Sequence, residues 1–236
     1  METYTVGQDD IMGNIPPRNN PSTIKTNRIE CEQFFVHAHS IATAILAALD
    51  RQLDLQPGTL ERLSPLDKPS DTSLRLLLSH PQPTVNTNRI SPGGRIDIGT
   101  LTLLFHVAGG LQVLPAGRDN VHANWQYIRP EQRCALVNLG DTSIEWVGGL
   151  LRSALHRVVT APGVQASVSR QSIAYLSRPE RSASMRRLEG GTVIPPLRDG
   201  EVKETRSVGE WAAGRVEQIL KGELKPQTRG GKQVEV

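Results

Sequence analysis

Three short stretches of this sequence carry side chains that could act together. In "SPGGRIDIGTLTLLFH" (residues 91–106) a glycine turn leads into Arg95-Ile96-Asp97 at the mouth of an apolar strand. Residues two apart on a strand point to one face, so Arg95 and Asp97 look into the same space. An unpaired carboxylate is costly there. "LHRVV" puts His156 on one face with Val158, and "SRQSIAYL" puts Arg170 on one face with Ser172 and Ala174. A carboxylate and an imidazole suit a divalent metal. An Arg-x-Ser pair suits a carboxylated small molecule, which a guanidinium binds through two parallel N–H donors.

Each residue also has an ordinary reading. Arg95 and Asp97 could simply pair with each other, and Asp97 could be a turn residue after Gly93-Gly94. A lone strand histidine is more often a hydrogen-bonded structural residue than a ligand, and Arg170 could be a surface arginine. "NLGD" (residues 138–141) has the composition of a tight turn.

The constellation needs strands to hold it. "SLRLLLS", "RIDIGTLTLLF", "GLQVLP", "WQYIRP", "CALVNLG", "LHRVVTAP" and "RQSIAYLSRP" follow one another, each bounded by Gly, Pro, Asn or Asp. Short strands at nearly regular spacing predict a mainly β sandwich or jelly-roll barrel rather than a βαβ sheet. Such a barrel binds ligands in its mouth. Before the strands, Phe34, Ala38, Ile41, Ile45, Leu49 and Leu53 recur at steps of three and four, which predicts an amphipathic helix ended by Pro57-Gly58. After them, Ser207 and Glu210 have the spacing of a capping box, with Trp211, Val216, Ile219 and Leu220 as an apolar face. The expected divisions are an irregular lead-in (1–29), a helical segment packed on the barrel (30–70), the jelly roll (71–190), and a C-terminal helix with a frayed tail (191–236).

Composition narrows the function classes. Hydrophobic residues at 37% and charged residues at 22% suit a globular chain. No apolar run is long enough to cross a bilayer, and the first residues lack the basic and apolar regions of a secretory signal. The two cysteines, Cys31 and Cys134, are far apart, which suggests neither a disulfide framework nor a zinc knuckle. A cytoplasmic protein without a membrane partner is expected. The arginines are scattered and aromatics make up only 4%, so no nucleic-acid surface is expected either.

Taken in order, "GGRIDIGTLTLLF", "GGLQVLPAG", "WQYIRP", "ALVNLGD", "GGLLRSALHRVV" and "RQSIAYLSRPE" resemble the isopenicillin N synthase-like branch of the non-haem iron, 2-oxoglutarate-dependent dioxygenases. The flanking helices resemble those of its fungal members. The resemblance implies a double-stranded β-helix, or jelly roll, with Fe(II) and 2-oxoglutarate as cofactors. It also implies O₂ and a small-molecule substrate as partners. It implies that Asp97 is the carboxylate ligand, His156 the distal histidine, and Arg170 and Ser172 the grip on 2-oxoglutarate. Arg95 then stands where the family has its first metal-binding histidine, and the chain begins inside the family's N-terminal region. The implied function is hydroxylation or desaturation of a small metabolite, in fungal specialised metabolism. A guanidinium has no lone pair to offer a metal, so the same resemblance admits an alternative: a catalytically inactive member that binds 2-oxoglutarate or a partner.

Overall fold

The computed structural model describes residues 1–81 and 94–231 of the chain. Its centre is an antiparallel sheet of five strands: β1 (Glu2–Gly7), β2 (Ser73–Ser79), β3 (Leu101–His106), β6 (Leu136–Leu139) and β9 (Arg170–Ser177). Their order across the sheet is β1-β2-β9-β3-β6. Facing it is a three-stranded sheet of β5 (Gln126–Tyr127), β4 (Leu111–Val113) and β8 (His156–Val158). A two-residue ladder joins β7 (Arg152–Ser153) to β10 (Arg229–Gly230). The two facing sheets give the jelly roll that the strand spacing predicts.

Alternation divides the residues of the large sheet. Val6, Leu74, Leu101, Leu103 and Tyr175 are buried on its outer face, where α3 (Arg28–Gln52) covers them. Phe34 meets Phe105 edge-on at 5.6 Å between ring centroids, and Phe35 meets Tyr175 at 5.9 Å. Each such burial contributes roughly 1.5–3 kcal/mol. The buried stripe of α3 is Phe35, Ala38, Ala42, Leu46 and Asp50. It runs one position away from the expected Ile41 and Ile45, and Ile41 is exposed. Two alanines at the centre of the stripe let the helix lie close to the sheet. The C-terminal helix, α5 (Val208–Leu220), begins with both halves of the expected capping box, Ser207 and Glu210.

The chain departs from its expected irregularity at both ends. The lead-in contains β1, α1 (Gln8–Ile11) and α2 (Ser22–Thr26). Its polar residues are used internally: the Asp10 carboxylate accepts from the Arg18 N–H, the Asn20 amide and Arg28. Toward the C-terminus, Arg229 pairs with Asp141 and Glu145 of α4 (Asp141–Trp146), which anchors β10. Residues 232–236 of the expected tail, and Gly93 of the glycine turn, lie outside the described residues. Both cysteines are free. No helix among the described residues is long and apolar enough to cross a membrane.

Candidate active site

Asp97 is positioned by backbone before side chains. It precedes β3 in a segment that crosses the start of α4, where its carbonyl accepts the Asp141 N–H at 2.8 Å and the Ile98 carbonyl accepts the Thr142 hydroxyl at 2.6 Å. Glycine makes this crossing possible. A Cβ at Gly99 would stand 2.1 Å from the Ser177 carbonyl oxygen, and one at Gly140 would stand 2.2 Å from that of Gly99.

The Asp97 carboxylate is then turned by two donors to the same oxygen. The Thr102 hydroxyl donates to Oδ2 at 2.7 Å and the Asn138 amide at 3.0 Å. This leaves Oδ1 directed at His156, whose Nε2 is 3.7 Å away, too long for a hydrogen bond. Both side chains are largely buried, 16% and 12% exposed. His156 Nδ1 lies 3.1 Å from the Ala154 carbonyl oxygen. A carbonyl can only accept, so Nδ1 is the donor of this hydrogen bond and Nε2 is the ring nitrogen turned toward Asp97.

Arg95 sits beside this pair without joining it. Its backbone exchanges two hydrogen bonds with that of His156, at 2.7 and 3.0 Å. The ion pair weighed from the sequence, Arg95 with Asp97, is not formed: Arg95 makes no side-chain hydrogen bond or ion pair among the described residues. The hold of Thr102 and Asn138 on Asp97 accounts for this, since it aims the carboxylate at His156 instead. Arg95 is an exposed residue at the cavity mouth.

Arg170 and Ser172 lie on β9, far into the sheet, and both are buried. Arg170 is not a surface arginine. Its Nε donates to the Gly109 carbonyl at 3.1 Å and its Nη1 to the Ser172 hydroxyl at 2.9 Å. Nη2 is buried with no acceptor, and no carboxylate of the described residues pairs with the guanidinium. Desolvation and the nearby Arg95 charge both push Arg170 below the usual guanidinium range. A buried cation left in this state is costly unless something anionic meets it.

All five residues singled out in the sequence line one cavity of about 320 Å³ between the two sheets. Sequence reasoning missed three of its polar neighbours. Thr102 and Asn138 orient Asp97, and Arg75 enters from β2. The available signal was alternation: Thr102 and Asn138 each break an apolar strand on the face that Leu104 and Leu136 also occupy. His106 lies across from Ser172 in the β3–β9 register, outside the cavity lining, and His122 is exposed on a short helical turn. No third His, Cys, Asp or Glu joins Asp97 and His156 among the described residues.

Known proteins place this chain in a lineage. Residues 71–179 match the 2OG-Fe(II) oxygenase superfamily model. The 2-oxoglutarate-dependent dioxygenase iboH of Amanita muscaria is 34% identical over 174 residues, which cover 73% of this chain and 82% of that protein. The 2-oxoglutarate-dependent dioxygenase frbH of a Dothideomycetidae species is 33% identical over 72% of this chain, which spans about half (51%) of its length. In fold, a 2OG-Fe(II) oxygenase family protein from Caulobacter crescentus superposes with a TM-score of 0.74 at 24% identity, over 92% of this chain and 69% of that one. The chain therefore belongs to the 2OG-Fe(II) oxygenase superfamily, whose cofactors are Fe(II) and 2-oxoglutarate.

Proposed function

We infer that this chain is a 2-oxoglutarate/Fe(II)-dependent dioxygenase of the isopenicillin N synthase-like, fungal type, which hydroxylates or desaturates a small metabolite in specialised metabolism. One observation carries the reading. A single cavity holds a carboxylate and an imidazole 3.7 Å apart, too far for a hydrogen bond, together with a buried guanidinium nitrogen that has no acceptor.

The donor chemistry fits the cofactors in part. Asp97 Oδ1 and His156 Nε2 are the chain's two metal donors, and Thr102, Asn138 and the Ala154 carbonyl hold them in place. Arg170 Nη2 and the Ser172 hydroxyl receive the far carboxylate of 2-oxoglutarate. Arg95 stands at the position of the family's first histidine and supplies no lone pair. The other coordination positions therefore fall to the cosubstrate and solvent. Bound there, Fe(II) supplies the O₂ chemistry and 2-oxoglutarate the electrons. The chain's own part is to orient both and to keep the charge at Arg170 away from water.

Relatives named as dioxygenases at 33–34% identity support the oxidising reading over a non-catalytic member. On the same reading the catalytic unit spans residues 71–190, with a lead-in (1–29), a helical segment packed on the barrel (30–70), and a C-terminal helix and tail (191–236). Two free cysteines support a reducing, cytoplasmic setting. The partners are O₂ and a small molecule, with neither nucleic acid nor membrane. The test is an anaerobic Fe(II) titration with and without 2-oxoglutarate, following the metal-to-ligand charge-transfer band. The band is expected only with both additives, and it should vanish in Asp97→Asn. If Arg95→His develops the band and the natural chain does not, the catalytic reading is overturned.

A further inference from the structure

Three guanidiniums line the cavity, those of Arg75, Arg95 and Arg170, against one carboxylate, Asp97. The cofactors do not remove this imbalance: Fe(II) adds two positive charges and the 2-oxoglutarate dianion removes two. Arg170 is assigned to 2-oxoglutarate on the reading above, which leaves Arg75 and Arg95. Neither side chain has a hydrogen-bond or ion-pair partner among the described residues. Arg75 stands across from Ala174 in the β2–β9 register, four residues along β9 from Arg170. That is on the order of 13 Å of strand, so its stem belongs to another end of the cavity. Between these charges the wall is apolar, formed by Leu77, Leu104, Leu111, Leu136 and Val158.

We propose that Arg75, with Arg95 at the mouth, forms a second anion subsite that binds the carboxylate of the main substrate. The substrate class is then an organic acid with an apolar body. This inference rests on the 2-oxoglutarate reading only in assigning Arg170 elsewhere. It also gives Arg95 a use that a metal ligand does not have: a guanidinium binds a carboxylate with two parallel donors where an imidazole offers at most one per ring nitrogen.

The test is calorimetry on the full chain with Fe(II) under anaerobic conditions, before and after saturation with 2-oxoglutarate. Two probe pairs of matched shape are used, phenylacetate against phenylacetamide and hexanoate against hexanamide. In the saturated protein the acids are expected to bind at least about tenfold tighter than their amides, the scale of one desolvated charge pair. Arg75→Gln should erase the preference, Arg75→Lys should restore part of it, and 2-oxoglutarate affinity should stay the same in both. No acid preference in either pair, or a preference that survives both Arg75→Gln and Arg95→Gln, overturns the proposal. If 2-oxoglutarate itself does not bind, the proposed 2-oxoglutarate reading of Arg170 fails instead, and the acid-against-amide comparison in the unsaturated protein decides the subsite alone.

Discussion

Arg95 and His156 are a hydrogen-bonded cross-strand pair: the N–H of each donates to the carbonyl of the other, at 2.7 and 3.0 Å. Such a pair sets the two Cα atoms about 5.5 Å apart with both side chains on one face. Whatever stands at position 95 is therefore presented to the same space as His156 and Asp97. Arg95→His should supply a third donor without moving the backbone. Fe(II) affinity, read from an anaerobic titration, is expected to rise by at least ~10–100-fold, since lost groups around metal ligands already cost that much. An unchanged affinity would mean that the position does not face the metal.

Arg170 sets stability against binding. Its guanidinium is buried, and Nη2 has no acceptor. Replacing a buried charge by an apolar side chain of similar volume is often neutral or stabilising. Arg170→Met should therefore raise the melting temperature of the ligand-free protein or leave it unchanged. The same change should weaken 2-oxoglutarate binding on the order of 100-fold and abolish its protection against heat. A variant that melts lower and is still protected would show that Arg170 is a structural residue.

The sequence carried the site further than it carried the fold around it. His156, Arg170 and Ser172 sit on strands and Asp97 just ahead of one, and they converge because alternation and turn residues are local properties, readable without the third dimension. What it could not show is which oxygen of Asp97 is free. That depends on Thr102 and Asn138, and Asn138 reaches Asp97 only because β6 pairs with β3. The β1 strand was hidden for a similar reason. It is short and polar, and its partner β2 begins 66 residues later in "SLRLLLS". The Arg95–Asp97 pair was the natural local inference, and two donors from elsewhere in the chain displaced it.

The N-terminal segment carries an acid-sensitive latch. Burial by itself would raise the Asp10 carboxyl, but donors from Asn20, the Arg18 N–H and Arg28 outweigh it and hold the group below the usual carboxylate range. A group whose pKa is lower in the folded state stabilises above its unfolded value and loses that contribution as pH falls through the folded one. The stability gap between the natural chain and Asp10→Asn should be full at about pH 5 and above. It should shrink steadily below about pH 4. Chemical denaturation at several pH values checks this, and a gap constant with pH would remove Asp10 from the acid response.

Asp141 ties the C-terminal segment to the site. It is fully buried and accepts from the Ser153 hydroxyl at 2.8 Å, from Arg215 of α5 and from Arg229 of β10. Its N–H reaches the Asp97 carbonyl, so the charge that anchors α5 and β10 also fixes the strand crossing behind the candidate metal ligand. Asp141→Ala leaves two arginines facing a buried void, and breaking a buried pair in this way costs about 3–5 kcal/mol. For a chain of this length the melting temperature should drop by on the order of 10 °C. Arg229→Ala leaves Arg215 and Ser153 on the carboxylate and should cost less than half as much. The site gives an independent readout: Asp141→Ala should also weaken Fe(II) binding at a temperature where the variant is still folded. If Fe(II) affinity there equals that of the natural chain, Asp141 stabilises the C-terminus without positioning Asp97.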